Sequence, residues 1–259
     1  LWDYRDAINE NTAIILRVHP SNYRIRGFSE EVPLEQLVEL GEEFGIPVVD
    51  DLGAGSYIDL SNFGLPSEPT VCSSIKTGAA VVTSSGDKLI GGPQSGIITG
   101  KKEYIQKIKK HPLARALRVG KLTIAALEAS LMLFREDTEY LVHNHPLYTM
   151  FSVSVDELRR KADEFLSLLN MPGSCSATVM ETDSYVGSGS LPDHAIPSIG
   201  AGLKSPDNEA LARELRLGNP AVASRIEDGF LKLDMRTLQP GELEQLASLV
   251  NSAAQELWA

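Results

Sequence analysis

Cysteine is nearly absent from this chain: Cys72 and Cys175 are the two in 259 residues, far apart and outside any Cys-x-x-Cys or histidine-paired spacing. Without that spacing neither a structural zinc site nor a disulfide framework is expected, and a reducing, cytoplasmic setting fits. Long apolar runs are missing too. None reaches the roughly 20 residues of a membrane-spanning helix, and no charged-then-apolar leader opens the chain, although a truncated start would hide one. Positive charge is scarce: 24 Lys and Arg against 35 Asp and Glu leave a formal −11. That argues against non-specific nucleic-acid binding by the chain as a whole, since phosphate contacts need clustered cations. A third glycine is also lacking. Gly53-Ala54-Gly55 follows a predicted strand as a dinucleotide-binding turn would, but the Gly-x-Gly-x-x run ends in Ile58 and Asp59–Asn62 reads as loop, so neither nicotinamide nor flavin is expected.

What is present begins with a core, since 42% of the residues are hydrophobic and the length suits one large or two modest domains. The organising stretch is Val82–Gly92. Ala79–Val82 is a short apolar run that reads as a buried strand, Ser84 and Ser85 supply hydroxyls, and Gly91-Gly92-Pro93 turns the chain into a second strand, Gly96–Thr99. Lys88 is thereby held on a short loop between core strands. It is either a solvated turn lysine or a chemical handle, because a partly desolvated lysine is a nucleophile toward carbonyls such as that of pyridoxal phosphate.

Ile46–Asp51 bears on that choice. This apolar strand runs into Asp50 and Asp51, and in open α/β sheets ligands lie outside the carboxyl ends of the strands. A carboxylate there keeps a pyridine nitrogen protonated so that the ring can act as an electron sink. Asp51 is the expected partner, because Asp50 faces the other way along a strand. A second edge loop, His19 to Phe28, follows the strand Thr12–Val18 and offers His19 and Asn22 as contacts.

The elements alternate. A helix from Pro33 to Phe44 stopped by Gly45, then a strand, then the Ser73–Gly78 helix or turn and the Lys88 strand predict a parallel sheet with crossover helices. Lys101–Lys121 carries Lys101, Lys102, Lys107, Lys109, Lys110, Arg115, Arg118 and Lys121 against Glu103 as its one acid. The lysines read as a solvated helix face. Arg115 and Arg118, three apart, share a face if their stretch is helical and then suit an oxyanion. Leu122–Phe134 reads as a helix linking two domains, and His143-Asn144-His145-Pro146 as a polar linker rather than a metal site. Beyond it, helices at 155–169, 207–217 and 241–258 accompany strands at 175–181 and 198–203 and a hairpin, 222–235, turned by Asp228-Gly229.

Four blocks in this order resemble bacterial selenocysteine synthase, the L-seryl-tRNA(Sec) selenium transferases: Asp-Leu-Gly-Ala-Gly-Ser (51–56), Ser-Ser-Gly-Asp-Lys-Leu-Ile-Gly-Gly-Pro-Gln-Ser-Gly-Ile-Ile (84–98), His-Pro-Leu-Ala-Arg-Ala-Leu-Arg (111–118) and Gly-Ser-Gly-Ser-Leu-Pro (187–192). The resemblance implies an α/β fold, part of a mostly parallel-sheet large domain of the aspartate aminotransferase type over residues 1–135, followed by a small α+β domain with its linker helix over 136–259. It implies pyridoxal 5′-phosphate as a Schiff base on Lys88, with Asp51, Ser85 and His19 as cofactor contacts. It implies conversion of seryl-tRNA(Sec) to selenocysteyl-tRNA(Sec) by selenophosphate through a dehydroalanyl intermediate, Arg115 and Arg118 facing the selenium donor or the tRNA end. A homo-oligomer built from dimers is expected, and the 187–192 string is placed near the active site. Chains of the family are longer, so this one reads as a C-terminal fragment, expected to be catalytically silent alone. The alternative is a related pyridoxal-dependent lyase acting on a small amino acid or amino sugar phosphate.

Overall fold

The computed structural model describes residues 1–21, 27–28, 30–187, 190–191 and 193–259; Asn22 and, from the 187–192 string, Ser188, Gly189 and Pro192 lie outside them. Two compact units emerge, Leu1–Leu147 with Val186–His194, and Tyr148–Tyr185 with Ala195–Ala259.

In the first unit α1 (Trp2–Ala7) precedes β1 (Ile15–Val18), α2 (Leu34–Phe44), β2 (Val48–Asp51), α3 (Val71–Thr77), β3 (Val81–Ser85) and β4 (Gly96–Gly100). The sheet order is β1-β2-β3-β4, with the first three strands parallel and β4 antiparallel. Parallel neighbours need crossovers, and α2 and α3 supply them. Helix α2 buries Leu34, Leu37, Val38 and Leu40 and stops at Gly45, which takes the left-handed conformation at φ 68°. These side chains join Ile15, Val48, Leu52, Val71 and Val82 in one core. Helices α4 (Lys102–Lys110), α5 (Pro112–Ala116), α6 (Lys121–Leu133) and α7 (Thr138–Asn144) follow.

The second unit contains α9 (Val155–Ser167), β5 (Ser176–Tyr185), β6 (Ala195–Lys204), α10 (Asn208–Leu217), β7 (Arg225–Glu227), β8 (Phe230–Asp234) and α11 (Leu243–Trp258), after α8 (Pro146–Ser152), in which the division falls. Its antiparallel sheet runs β5-β6-β8-β7. Asp228 and Gly229, both at positive φ (53° and 78°), turn the last hairpin, the backbone that an Asp-Gly pair favours. Phe165, Leu158, Ile199, Leu203, Leu211, Leu231 and Val250 fill the core.

The division at 147/148 lies beyond the 135/136 boundary read from the sequence. Helix α6 is no free link: its Leu127 lies against the loop that bears Lys88, where a Cβ on Gly92 would come within 3.0 Å of it. Nor is 143–146 a polar linker. His143 Nδ1 closes on the Glu139 carbonyl at 2.8 Å within α7, and His145 is 4% exposed. Ser190 and Leu191, in the Gly-Ser-Gly-Ser-Leu-Pro string, are buried at 2% and 1% exposure and belong to the first unit. Among the described residues no helix is long and apolar enough to cross a membrane.

Candidate active site

The carboxyl ends of three parallel strands build the site. β1 runs into His19, whose amide donates to the Asp51 carbonyl at 2.8 Å and so extends the ladder one residue past the strand. β2 ends at Asp51 and β3 at Ser85. The turn after β2 ties these ends together: the Leu52 amide donates to the Thr83 carbonyl and the Ser85 amide to the Gly53 carbonyl, both at 3.0 Å. Gly53, at φ +60°, lets the turn approach Ser21, because a Cβ there would lie 2.5 Å from the Ser21 hydroxyl oxygen.

Strand alternation separates the two aspartates. Asp50 is fully buried and accepts from Arg17 on β1, its partner in register, at 2.9 Å. Asp51 is half-buried and accepts from Thr83 Oγ1, again its partner in register, at 2.8 Å through Oδ1. Its Oδ2 has no hydrogen bond among the described residues. His19 Nε2 donates to Glu68 Oε2 at 2.9 Å, and His19 Nδ1 is buried without a partner among the described residues. Nearby, burial holds the Tyr57 phenol above its ordinary range, with Cys72 adding a smaller push.

Lys88 is carried by a closed loop. The Gly86 amide donates to the Ser95 carbonyl, that of Gly92 to Gly86 and that of Gly91 to Lys88, each at 2.9 Å. Leu89 and Ile90 are buried and anchor the loop from inside, and His145 Nε2 donates to the Ile90 carbonyl at 3.0 Å. Lys88 itself is partly buried, and among the described residues its ammonium has neither a hydrogen bond nor an ion pair. Gly91 is required here on two counts: φ is +66°, and an added Cβ would lie 2.5 Å from the His145 ring. Gly91→Ala is therefore expected to lower stability by about 1–2 kcal/mol, the cost of left-handed backbone in an L-residue, and to slow covalent capture of Lys88 by an aldehyde. Thermal melting and a timed labelling assay check both.

The arginine pair is arranged differently from the expectation. Pro112 starts α5 and the His111 ring accepts from the Leu113 amide at 3.2 Å, but the helix ends at Ala116 and Leu117 caps it. Val119 and Gly120 disfavour its continuation, so Arg118 lies past the helix and shares no helical face with Arg115. Both are exposed, and neither has an ion-pair partner among the described residues. Arg118 lines a groove of about 970 Å³ with Lys107, Lys121, His111 and an apolar floor that includes Ile98, Leu117 and Ile124; Arg115 is not part of it. Gly96, which also lines the groove, is the partner of Ser85 in the β3–β4 register.

Glu68, Thr83 and His145 escaped the sequence reading. Thr83 becomes legible once the β2–β3 register is known; Glu68 and His145 have no local signal.

These residues fit a pyridine aldehyde. A partly buried lysine and a buried imidazole nitrogen, both without a partner among the described residues, share one sheet edge with a carboxylate held by a neighbouring hydroxyl.

A family profile described as L-seryl-tRNA selenium transferase matches residues 1–239. The L-seryl-tRNA(Sec) selenium transferase of Caldanaerobacter subterraneus subsp. tengcongensis is 44% identical over 245 residues, which cover 94% of this chain and 53% of that protein. The protein of the same name from Solidesulfovibrio magneticus is 42% identical over 261 residues, 98% of this chain and 55% of its own. The chain spans about half the length of the curated relatives it matches. Among solved structures, that of D-glucosaminate-6-phosphate ammonia-lyase is similar with a TM-score of 0.59 at 23% identity, over 98% of this chain and 61% of that one. At that identity the likeness carries the fold alone.

Proposed function

The chain belongs to the L-seryl-tRNA selenium transferase family, and from this premise we propose that it carries the lysine-bearing edge of a pyridoxal 5′-phosphate site that converts seryl-tRNA(Sec) to selenocysteyl-tRNA(Sec) with selenophosphate. The observation that carries the reading is Lys88: an amine without a partner among the described residues, on a loop anchored by Ile90 and His145, beside the strand end that presents Asp51. The first unit is then part of a large domain of the aspartate aminotransferase type, and the second its small α+β domain.

Pyridoxal phosphate, when bound, supplies the electron sink that lets a hydroxyl leave the carbon next to an amino-bearing one. The chain's residues do the rest. Lys88 would hold the cofactor through its carbonyl carbon, and its amine is the base that would take up the seryl Cα proton. Asp51, oriented by Thr83, keeps the pyridine nitrogen protonated, and Ser85 and His19 complete the cofactor contacts. Arg115 and Arg118 neutralise the incoming selenium donor or the tRNA phosphates, Arg118 from the groove wall.

Mixing the purified chain with pyridoxal phosphate, reducing with borohydride and mapping the adduct tests the assignment; label at Lys88 is the expected result, and stable label at another lysine would sink it. In a protein of the relatives' length, Arg118→Ala is expected to weaken binding of inorganic phosphate, as a probe of the oxyanion site, about tenfold, the scale of one charge-assisted hydrogen bond. Isothermal titration reads it.

A lyase acting on an amino sugar phosphate shares the fold, but the family match favours the aminoacyl-tRNA substrate. Preference for seryl-tRNA(Sec) over free amino acids discriminates between them. The partners are then charged tRNA(Sec), selenophosphate and further copies of the chain, in the cytoplasm. Helix α6, which buries no residue and leaves Leu122 80% exposed, supports an oligomer built from dimers.

A further inference from the structure

We infer that Glu68 is a positioning residue: it fixes the imidazole of His19 with the proton on Nε2 and presents Nδ1 as a hydrogen-bond acceptor to a ligand bound at the sheet edge. The inference rests on the proposed cofactor site for the ligand's identity, but the Glu68–His19 geometry stands without it.

The chemistry follows from the donor set. An ionised carboxylate only accepts hydrogen bonds, so Glu68 Oε2 at 2.9 Å from His19 Nε2 requires a proton on that nitrogen. The neutral ring then carries its lone pair on Nδ1. That atom is shut from solvent and has no hydrogen-bond partner among the described residues. A buried polar atom left unpaired costs free energy comparable to a lost hydrogen bond, so a ligand group that donates to it regains that energy. The ring has little freedom to turn away, since both side chains of the pair are nearly buried, at 14% and 13% exposure.

Glu68 is itself held. Pro69 restricts the backbone of Glu68 to extended conformations. Thr70 caps α3 reciprocally with Ser73, and the Val71 amide donates to the Ser56 carbonyl at 2.9 Å. The segment bearing Glu68 is thus pinned beside the turn that follows Asp51. On the other side, the His19 amide is bonded to the Asp51 carbonyl. Two short segments, fixed independently, bring one carboxylate and one imidazole together. This is the arrangement by which a second group sets a histidine's tautomer.

The test uses the 259-residue chain with ¹⁵N-labelled histidine, its His19 signals assigned with a His19→Gln variant. The expected spectrum of the neutral ring shows a pyrrole-type Nε2 and a pyridine-type Nδ1; in Glu68→Gln, whose amide can donate or accept, the two tautomers mix. Added pyridoxal phosphate is expected to move the Nδ1 signal of the parent chain and to bind about tenfold more weakly to Glu68→Gln, while Glu68→Asp retains part of both effects. An unchanged tautomer in Glu68→Gln overturns the inference, whatever the melting temperature does. So does a changed tautomer with unchanged affinity for the phosphate ester. If the parent chain binds no pyridoxal phosphate, the cofactor reading fails for this chain alone, and the tautomer comparison still decides whether Glu68 positions His19.

Discussion

Replacing Lys88 by alanine is expected to abolish the borohydride-fixed pyridoxyl adduct in the 259-residue chain. In a protein of the relatives' length it is expected to lower selenocysteyl-tRNA formation by roughly 10³-fold or more, since both covalent capture and proton transfer at Cα pass through one amine. The chain has other lysines, and their settings show why this one is chosen. Lys232 is more deeply buried, at 8% exposure, yet it is bonded to Glu227 at 2.8 Å and Asp228 at 3.2 Å. The Glu227 hydrogen bond above all holds its pKa above the usual lysine value, so its ammonium stays charged and is a poor nucleophile. Lysines 102, 107, 109 and 110 lie along α4 and leave it without a buried residue. Lys88 alone combines partial burial, an anchored loop and the strand edge that ends in Asp51 and Ser85. Peptide mapping after reduction reads the adduct, and a yellow, reducible complex that survives Lys88→Ala would overturn the assignment.

The fold was legible where local chemistry is decisive. The Leu34–Phe44 helix follows from its apolar spacing and Gly45 stop, and the last hairpin from Asp228-Gly229. The first sheet's parallel core follows from alternating strand and helix signals. Part of the site was legible for the same reason: Asp50 and Asp51 must face opposite ways along a strand, and the buried Asp50–Arg17 pair is the counterpart of the half-buried Asp51–Thr83 pair. Other parts depend on contacts that no spacing encodes. His145 reaches Ile90 across 55 positions and Glu68 reaches His19 across 49, distances set by how the crossovers return the chain. In sequence the two histidines at 143 and 145 share no helix face and have no third ligand, which reads as linker, whereas the ring of His145 closes the Lys88 loop. The Arg115–Arg118 spacing gives a shared face only if the helix spans both, and a five-residue helix ended by Leu117 does not reach the second arginine.

The paired aspartates yield the second large effect. Asp51→Asn is expected to lower kcat by roughly 10²–10³-fold in a protein of the relatives' length, the scale seen when one electrostatic stabiliser of a developing charge is removed. It keeps the shape and the hydrogen bond from Thr83 but loses the charge that holds a proton on a pyridine nitrogen. Stability should change little, because Asp51 is half-buried and its protein partner is a neutral hydroxyl. Asp50→Asn is the control on the neighbouring position. Its carboxylate is fully buried and faces Arg17, so neutralising it leaves a guanidinium without its partner and is expected to cost about 3 kcal/mol of stability. Denaturant titration of the two variants, with steady-state kinetics and the cofactor's visible spectrum, separates the roles. Loss of stability in Asp51→Asn with normal turnover would reverse the assignment, giving the chemistry to Asp50 and the packing to Asp51.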